Sequence, residues 1–136
     1  MLADVGLGGY FPFIRKYSRI EEILSDKDLA SLGDAYVNFV YSLALSKSSG
    51  RPVGRKLSSF VLSSALRRAG VRGLLPHRMD RHRQADAAEA LLVYGWLSGI
   101  ISIKETIDIL AREGDLAEKI SILLKIILDE SKRLLS

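Results

Sequence analysis

Apolar side chains recur along this chain at intervals of three and four, the spacing that lines one face of an α-helix, and no stretch alternates as a strand would. Phe13, Ile14, Tyr17, Ile20 and Leu24 form the first such face and predict a helix over 13–24. Ahead of it, Gly6, Gly8, Gly9 and Pro12 disfavour a regular start, and Tyr10, Phe11 and Phe13 are expected to dock on the core. Ser25 to Asp28 supplies cap residues for a second helix through Leu45, with Leu29, Leu32, Tyr36, Val40 and Leu43 facing inward. Asp34, Asn38 and Tyr41 fall on a neighbouring stripe, a polarity that a purely structural helix does not need.

A Ser- and Gly-rich loop over 46–52 leads to a third helix expected from Gly54 to Ala69 and ended by Gly70. Leu57, Phe60, Val61, Ser64 and Ala65 would be its buried stripe. After a basic loop over 70–81, a fourth helix runs from about Arg83 to Leu97, and Ala85, Ala87, Ala88 and Ala90 suit it to a crowded, central position. Ser102 with Glu105 makes a capping box for a fifth helix, and Asp115 with Glu118 resembles one for a sixth, with Gly114 between them. The sixth, through about Leu135, is apolar almost all round, so it should be central or covered by another subunit. These elements predict an all-α, compact, single-domain fold of about six helices over 1–136.

Composition narrows the chemistry. The absence of cysteine excludes a disulfide framework, a thiolate nucleophile and a thiolate zinc site, and two histidines argue against a histidine-rich one. No apolar run approaches the roughly 20 residues that span a bilayer, and the first residues lack the pattern of a secretory signal. A cytoplasmic location with no membrane partner is expected. The net charge of +4 conceals a segregation: residues 47–83 carry ten Lys or Arg against the single acid Asp80, a net +9 that leaves −5 for the rest. Such a segment creates a positive field that a polyanion would feel, although a solvated basic face with no partner accounts for it equally well.

Two acidic stretches flank that segment. Asp86 and Glu89 are three apart and so project from one helix face, while Asp34 offers a third carboxylate from a separate helix. Three convergent carboxylates would be hard ligands for magnesium. Asp34 alone reads more readily as a buried acid satisfied by a tyrosine or a backbone group. His77 and His82 read as loop or phosphate-proximal residues, and Trp96 with Tyr36, Tyr41 and Tyr94 as core or dimer contacts at helical spacing.

Leu29-Ala30-Ser31-Leu32-Gly33-Asp34-Ala35-Tyr36-Val37 resembles the first motif of ribonuclease III catalytic domains, and Ala85-Asp86-Ala87-Ala88-Glu89-Ala90-Leu91-Leu92 resembles the second. Arg55-Lys56-Leu57-Ser58-Ser59, followed by Ser63 to Leu66, is similar to the middle helix of the Mini-III enzymes. The likeness covers roughly residues 25–100. It is nearest to the minimal members without a double-stranded-RNA-binding domain, the Mini-III and small archaeal proteins. Ala30 stands where the larger enzymes carry a glutamate, as it does in Mini-III, and Asn38 where a further acid is often found.

The resemblance implies that Asp34, Asp86 and Glu89 are catalytic metal ligands for Mg2+, with Mn2+ as a substitute. It implies a homodimer whose two sites hydrolyse phosphodiester bonds in double-stranded or structured RNA. Clustered carboxylates repel, so Asp86 or Glu89 should have a raised pKa without metal. The amide of Asn38 could accept a hydrogen bond from a metal-bound water. Arg55, Lys56, Arg67, Arg68, Arg72, Arg78, Arg81 and Arg83 are the candidate RNA phosphate contacts. Two other classes stay open: a catalytically weakened RNA-binding relative, and a helical, dimeric protein-interaction module.

Overall fold

The computed structural model describes residues 10–71, 73–76 and 79–135. Among these, every regular element is helical: α1 (Ile20–Leu24), α2 (Lys27–Ser49), α3 (Ser59–Arg68), α4 (Arg81–Leu97), α5 (Ile103–Leu110) and α6 (Leu116–Leu135). α4 is the axis of the packing and touches α1, α2, α3 and α6. Its alanines explain the position: Ala85, Ala87, Ala88 and Ala90 are all buried, and side chains that small let neighbouring helices approach on several sides. Leu91, Leu124 and Ile127 leave water almost completely, which stabilises the core by roughly 2 kcal/mol for each.

Two glycines set the closest approaches. A Cβ added at Gly33 of α2 would lie 2.2 Å from the carbonyl oxygen of Glu89 on α4, and one at Gly95 of α4 would lie 2.5 Å from the Ile127 side chain on α6. Glycine at 33 therefore lets α2 rest against the α4 backbone at the point where both carry carboxylates. α2 ends at Gly50, whose φ of 73° is the left-handed conformation favoured after a helix, with its N–H bonded to Ser46 O.

The caps at the ends of the chain's second half agree with expectation. Ser102 Oγ accepts from Glu105 N at 3.0 Å while Glu105 Oε1 accepts from Ser102 N at 3.0 Å. Asp115 accepts from Glu118 N at 3.0 Å and thereby caps α6. The same Asp115 pairs with Arg68 at 2.5 Å, joining the end of α3 to the start of α6.

Five expectations need correction. The first helix is confined to Ile20–Leu24, because the preceding chain is held in an irregular path by its side chains. Tyr17 donates to Asp26 at 2.7 Å, and Glu22 accepts from the backbone of Ser18 and Arg19. Phe11 docks on the core, whereas Tyr10 and Phe13 are exposed. α2 runs on to Ser49 and turns Ala30, Gly33 and Val37 inward, leaving Leu32 exposed. α3 begins at Ser59, capped by Ser58, and buries Leu62, Ser63, Ala65 and Leu66, while Phe60 stays exposed. α6 is apolar on one side, its buried face running from Ala117 to Ser131, with Ile126 and Leu134 exposed.

Candidate active site

Asp34 follows Gly33 in α2, so the close crossing on α4 carries its carboxylate to Glu89, within hydrogen-bonding reach. Glu89 sits on a helix that is covered nearly all round and is only 7% exposed. Its pKa is pushed up to about 8, first by burial, then by the hydrogen bond with Asp34, and then by the charges of Asp34 and Asp86. Lys56 opposes this rise. Asp86, one turn earlier on α4, is exposed to solvent. The alternative of Asp34 as a buried, internally satisfied acid does not hold, because its residue is exposed.

The polar stripe of α2 explains how Lys56 reaches the carboxylates. Asn38 Oδ1 accepts from Leu57 N at 2.6 Å, Ser42 Oγ bonds both Arg55 N and Arg55 O, and Ser46 Oγ bonds Val53 N. These side chains replace a strand partner for the segment over 52–58, which lies extended beside α2 rather than in a helix. Asn38 also donates from Nδ2 to Asp34 Oδ1 at 3.1 Å. Its amide therefore positions Asp34 and the Lys56 segment at once, a role different from receiving a hydrogen bond from a bound water.

Asp34, Asp86 and Glu89 line one open cleft of about 660 Å3, together with Lys56, Lys27 and His82. Lys27 was not anticipated, although its spacing of seven before Asp34 puts it on the same side of α2. Among the described residues, no three acidic or histidine side chains are gathered closely enough to form a metal-ion group. The donor chemistry nonetheless suits a hard divalent ion. The donors are all oxygens, and Glu89 is buried beside two like charges, a burden of negative charge that a bound cation would relieve.

The remaining candidate cations divide. Arg55 is exposed and bonds the carbonyl of Gly54 next to it, and Arg83 is exposed and lines a neighbouring cavity rather than this cleft. Arg67 donates to Gln84 at 2.9 Å, Arg68 is paired with Asp115 and Glu118, and Arg81 lies over the Phe60 ring at 4.0 Å. Those three thus have structural contacts within the chain. Arg72, Arg78 and His77 lie outside the described residues. Tyr36 stacks on Trp96 and Tyr94 meets Tyr17 edge-on, the packing roles anticipated for Trp96, Tyr36 and Tyr94, while Tyr41 is half-buried against the core.

A fold made only of helices among the described residues, with acids on two crossing core helices, defines the class. The family model described as Ribonuclease III matches residues 27–125, from the first turn of α2 into α6. The chain belongs to the ribonuclease III family. A search of curated proteins finds no match. No helix among the described residues is long and apolar enough to cross a membrane.

Proposed function

We propose that this protein is a magnesium-dependent endoribonuclease that hydrolyses phosphodiester bonds in double-stranded or structured RNA. The observation that carries the proposal is the meeting of Asp34 and Glu89 across the Gly33 crossing, in a chain of the ribonuclease III family. Asp34, Asp86 and Glu89 would hold the ion, which when bound lowers the pKa of water and neutralises phosphate oxygens. Asn38 fixes the Asp34 carboxylate from one side, so that this donor does not have to be ordered at each turnover. Glu89 gives up its proton to become a donor, and Lys56 favours that ionised form. Lys56 and Lys27 offer positive charge in the cleft to the backbone of an RNA, whose bases in a duplex are hidden in a deep, narrow groove.

A second reading, an RNA-binding relative that cuts poorly, draws support from the lack of a gathered three-acid group among the described residues. Cleavage of a labelled hairpin RNA in Mg2+ separates the two. The native protein should cut, and Glu89→Gln and Asp34→Asn should each slow cutting by about 100-fold or more, while still binding the hairpin in a salt-dependent manner. Binding without metal-dependent cutting by the native protein would establish the second reading, and equal cutting by all three proteins would remove these carboxylates from the mechanism.

A further inference from the structure

Beside the carboxylate cleft, a second cavity of about 320 Å3 opens between the beginning of α2 and the segment that joins α3 to α4. Leu24, Leu74, Leu75, Pro76 and Met79 supply apolar walls. A turn builds the far wall: Leu74 N bonds Val71 O at 2.9 Å, Gly73 takes a φ of 85°, and Leu74 and Leu75 are left half-buried. Lys27, Ala30 and Asp86 line both this cavity and the cleft, so the two spaces adjoin. Ala30 contributes only a methyl group at this junction, at the position where the resemblance to larger relatives leads one to expect a glutamate.

The composition of the walls selects the occupant. Apolar side chains strip water from whatever enters and give an ion nothing in return, whereas a flat heteroaromatic ring is stabilised by the same burial. Lys27 and Arg83 also line the cavity, cations available to the phosphates that flank such a ring, alongside the carboxylates of Glu21, Asp26 and Asp86. A base inside a helix cannot reach a cavity of this kind, but one that is already unpaired can be turned out at low cost.

We propose that this cavity receives one unpaired nucleobase next to the phosphodiester at Asp34, Asp86 and Glu89, and that the preferred substrate is a structured RNA with a bulged nucleotide at the cut rather than a perfect duplex. The proposal rests on the nuclease reading above for its position relative to the cut. Aliphatic walls on several sides recognise the ring and not its sequence, so the preference is for an unpaired nucleotide of any base.

The test uses the native protein with Mg2+ and a set of hairpins in which a single bulged 2-aminopurine is walked along one strand, alongside the fully paired hairpin. For one bulge position, cutting beside the bulge should be about tenfold faster than cutting of the paired hairpin, and the 2-aminopurine emission should shift to the blue on binding. Met79→Trp and Leu75→Glu, two changes on different parts of the wall, should each abolish the emission shift and the preference while cutting the paired hairpin at the native rate. Equal cutting of all hairpins with no emission shift overturns the cavity as a base site and leaves the nuclease reading standing. A shift without cutting of any hairpin keeps the base site and overturns the nuclease reading. Neither cutting nor a shift overturns both, and a shift that survives in both variants overturns the location.

Discussion

A carboxyl group buried where Glu89 is buried is stable only while it holds a proton or has a cation beside it. With its pKa pushed up to about 8 from the ordinary 4.5, the folded chain binds that proton more tightly than the unfolded chain does. The stability this contributes is fully present below pH 4.5 and is lost as pH rises through 8. In metal-free buffer the melting temperature of the native protein should therefore fall between pH 5 and pH 8.5, by about 10 °C or more. Glu89→Gln, which resembles the protonated form, should flatten the profile and melt above the native protein at the alkaline end. Scanning calorimetry in chelator decides it, and parallel profiles for the two proteins would contradict the assignment. Addition of Mg2+ or Mn2+ should raise the native melting temperature more at pH 8.5 than at pH 5. The i, i+3 spacing of Asp86 and Glu89 is readable in the sequence, but their unequal burial is not, because it depends on where α2 crosses α4.

That crossing is a property of two elements, and Gly33 controls it. An alanine methyl at 33 would collide with the Glu89 carbonyl, which belongs to the α4 backbone and cannot rotate aside as a side chain would. Gly33→Ala gains helix propensity yet must push the two helices apart, so it should lower the unfolding free energy by about 2–3 kcal/mol. Urea unfolding measures this, and a neutral or stabilising result would show that α2 and α4 are less tightly apposed than the crossing requires. The activity loss should exceed what stability explains, since the same displacement separates Asp34 from Glu89. The elements themselves were largely apparent from apolar spacing: α4, α6 and the starts of α2 and α5 fall near their expected limits, while α2 runs past Leu45 to Ser49. The beginning of α3 was not, because the extended path over 52–58 is imposed by Asn38, Ser42 and Ser46 from an earlier helix, 7 to 19 residues away in the chain. The polarity of that α2 stripe was visible; its partners belong to tertiary structure. Leu32 was misplaced for a related reason, since the face of α2 that turns inward is chosen by the close fit at Gly33 and not by hydrophobicity.

For the molecule as a whole, the question is what lies against the outer face of α2. Leu32 and Phe39 are 41% and 57% exposed, and their spacing of seven puts them on one side of the helix. Phe39 also borders an open groove with Leu43, Pro52 and Val53. An exposed aromatic beside an apolar groove is the self-complementary pairing that a two-fold axis permits, each copy offering its ring to the groove of the other. The homodimer that the family resemblance implies would use this face, whereas the sixth helix has most of its apolar surface inside the chain. A two-fold pairing would put two carboxylate clefts on one particle, as cutting both strands of a duplex requires, with Asp34 on a different side of α2 from Leu32 and Phe39. Sedimentation at tens of micromolar should give the native protein twice the 15.0 kDa chain mass. Phe39→Glu, which places a charge beside the groove at an exposed position, should sediment at the chain mass with unchanged helicity. Its cutting of a duplex should change from paired breaks to slow single-strand nicks. A native protein that sediments at the mass of one chain would eliminate the pairing, and a dimer that survives Phe39→Glu would move the interface to another face.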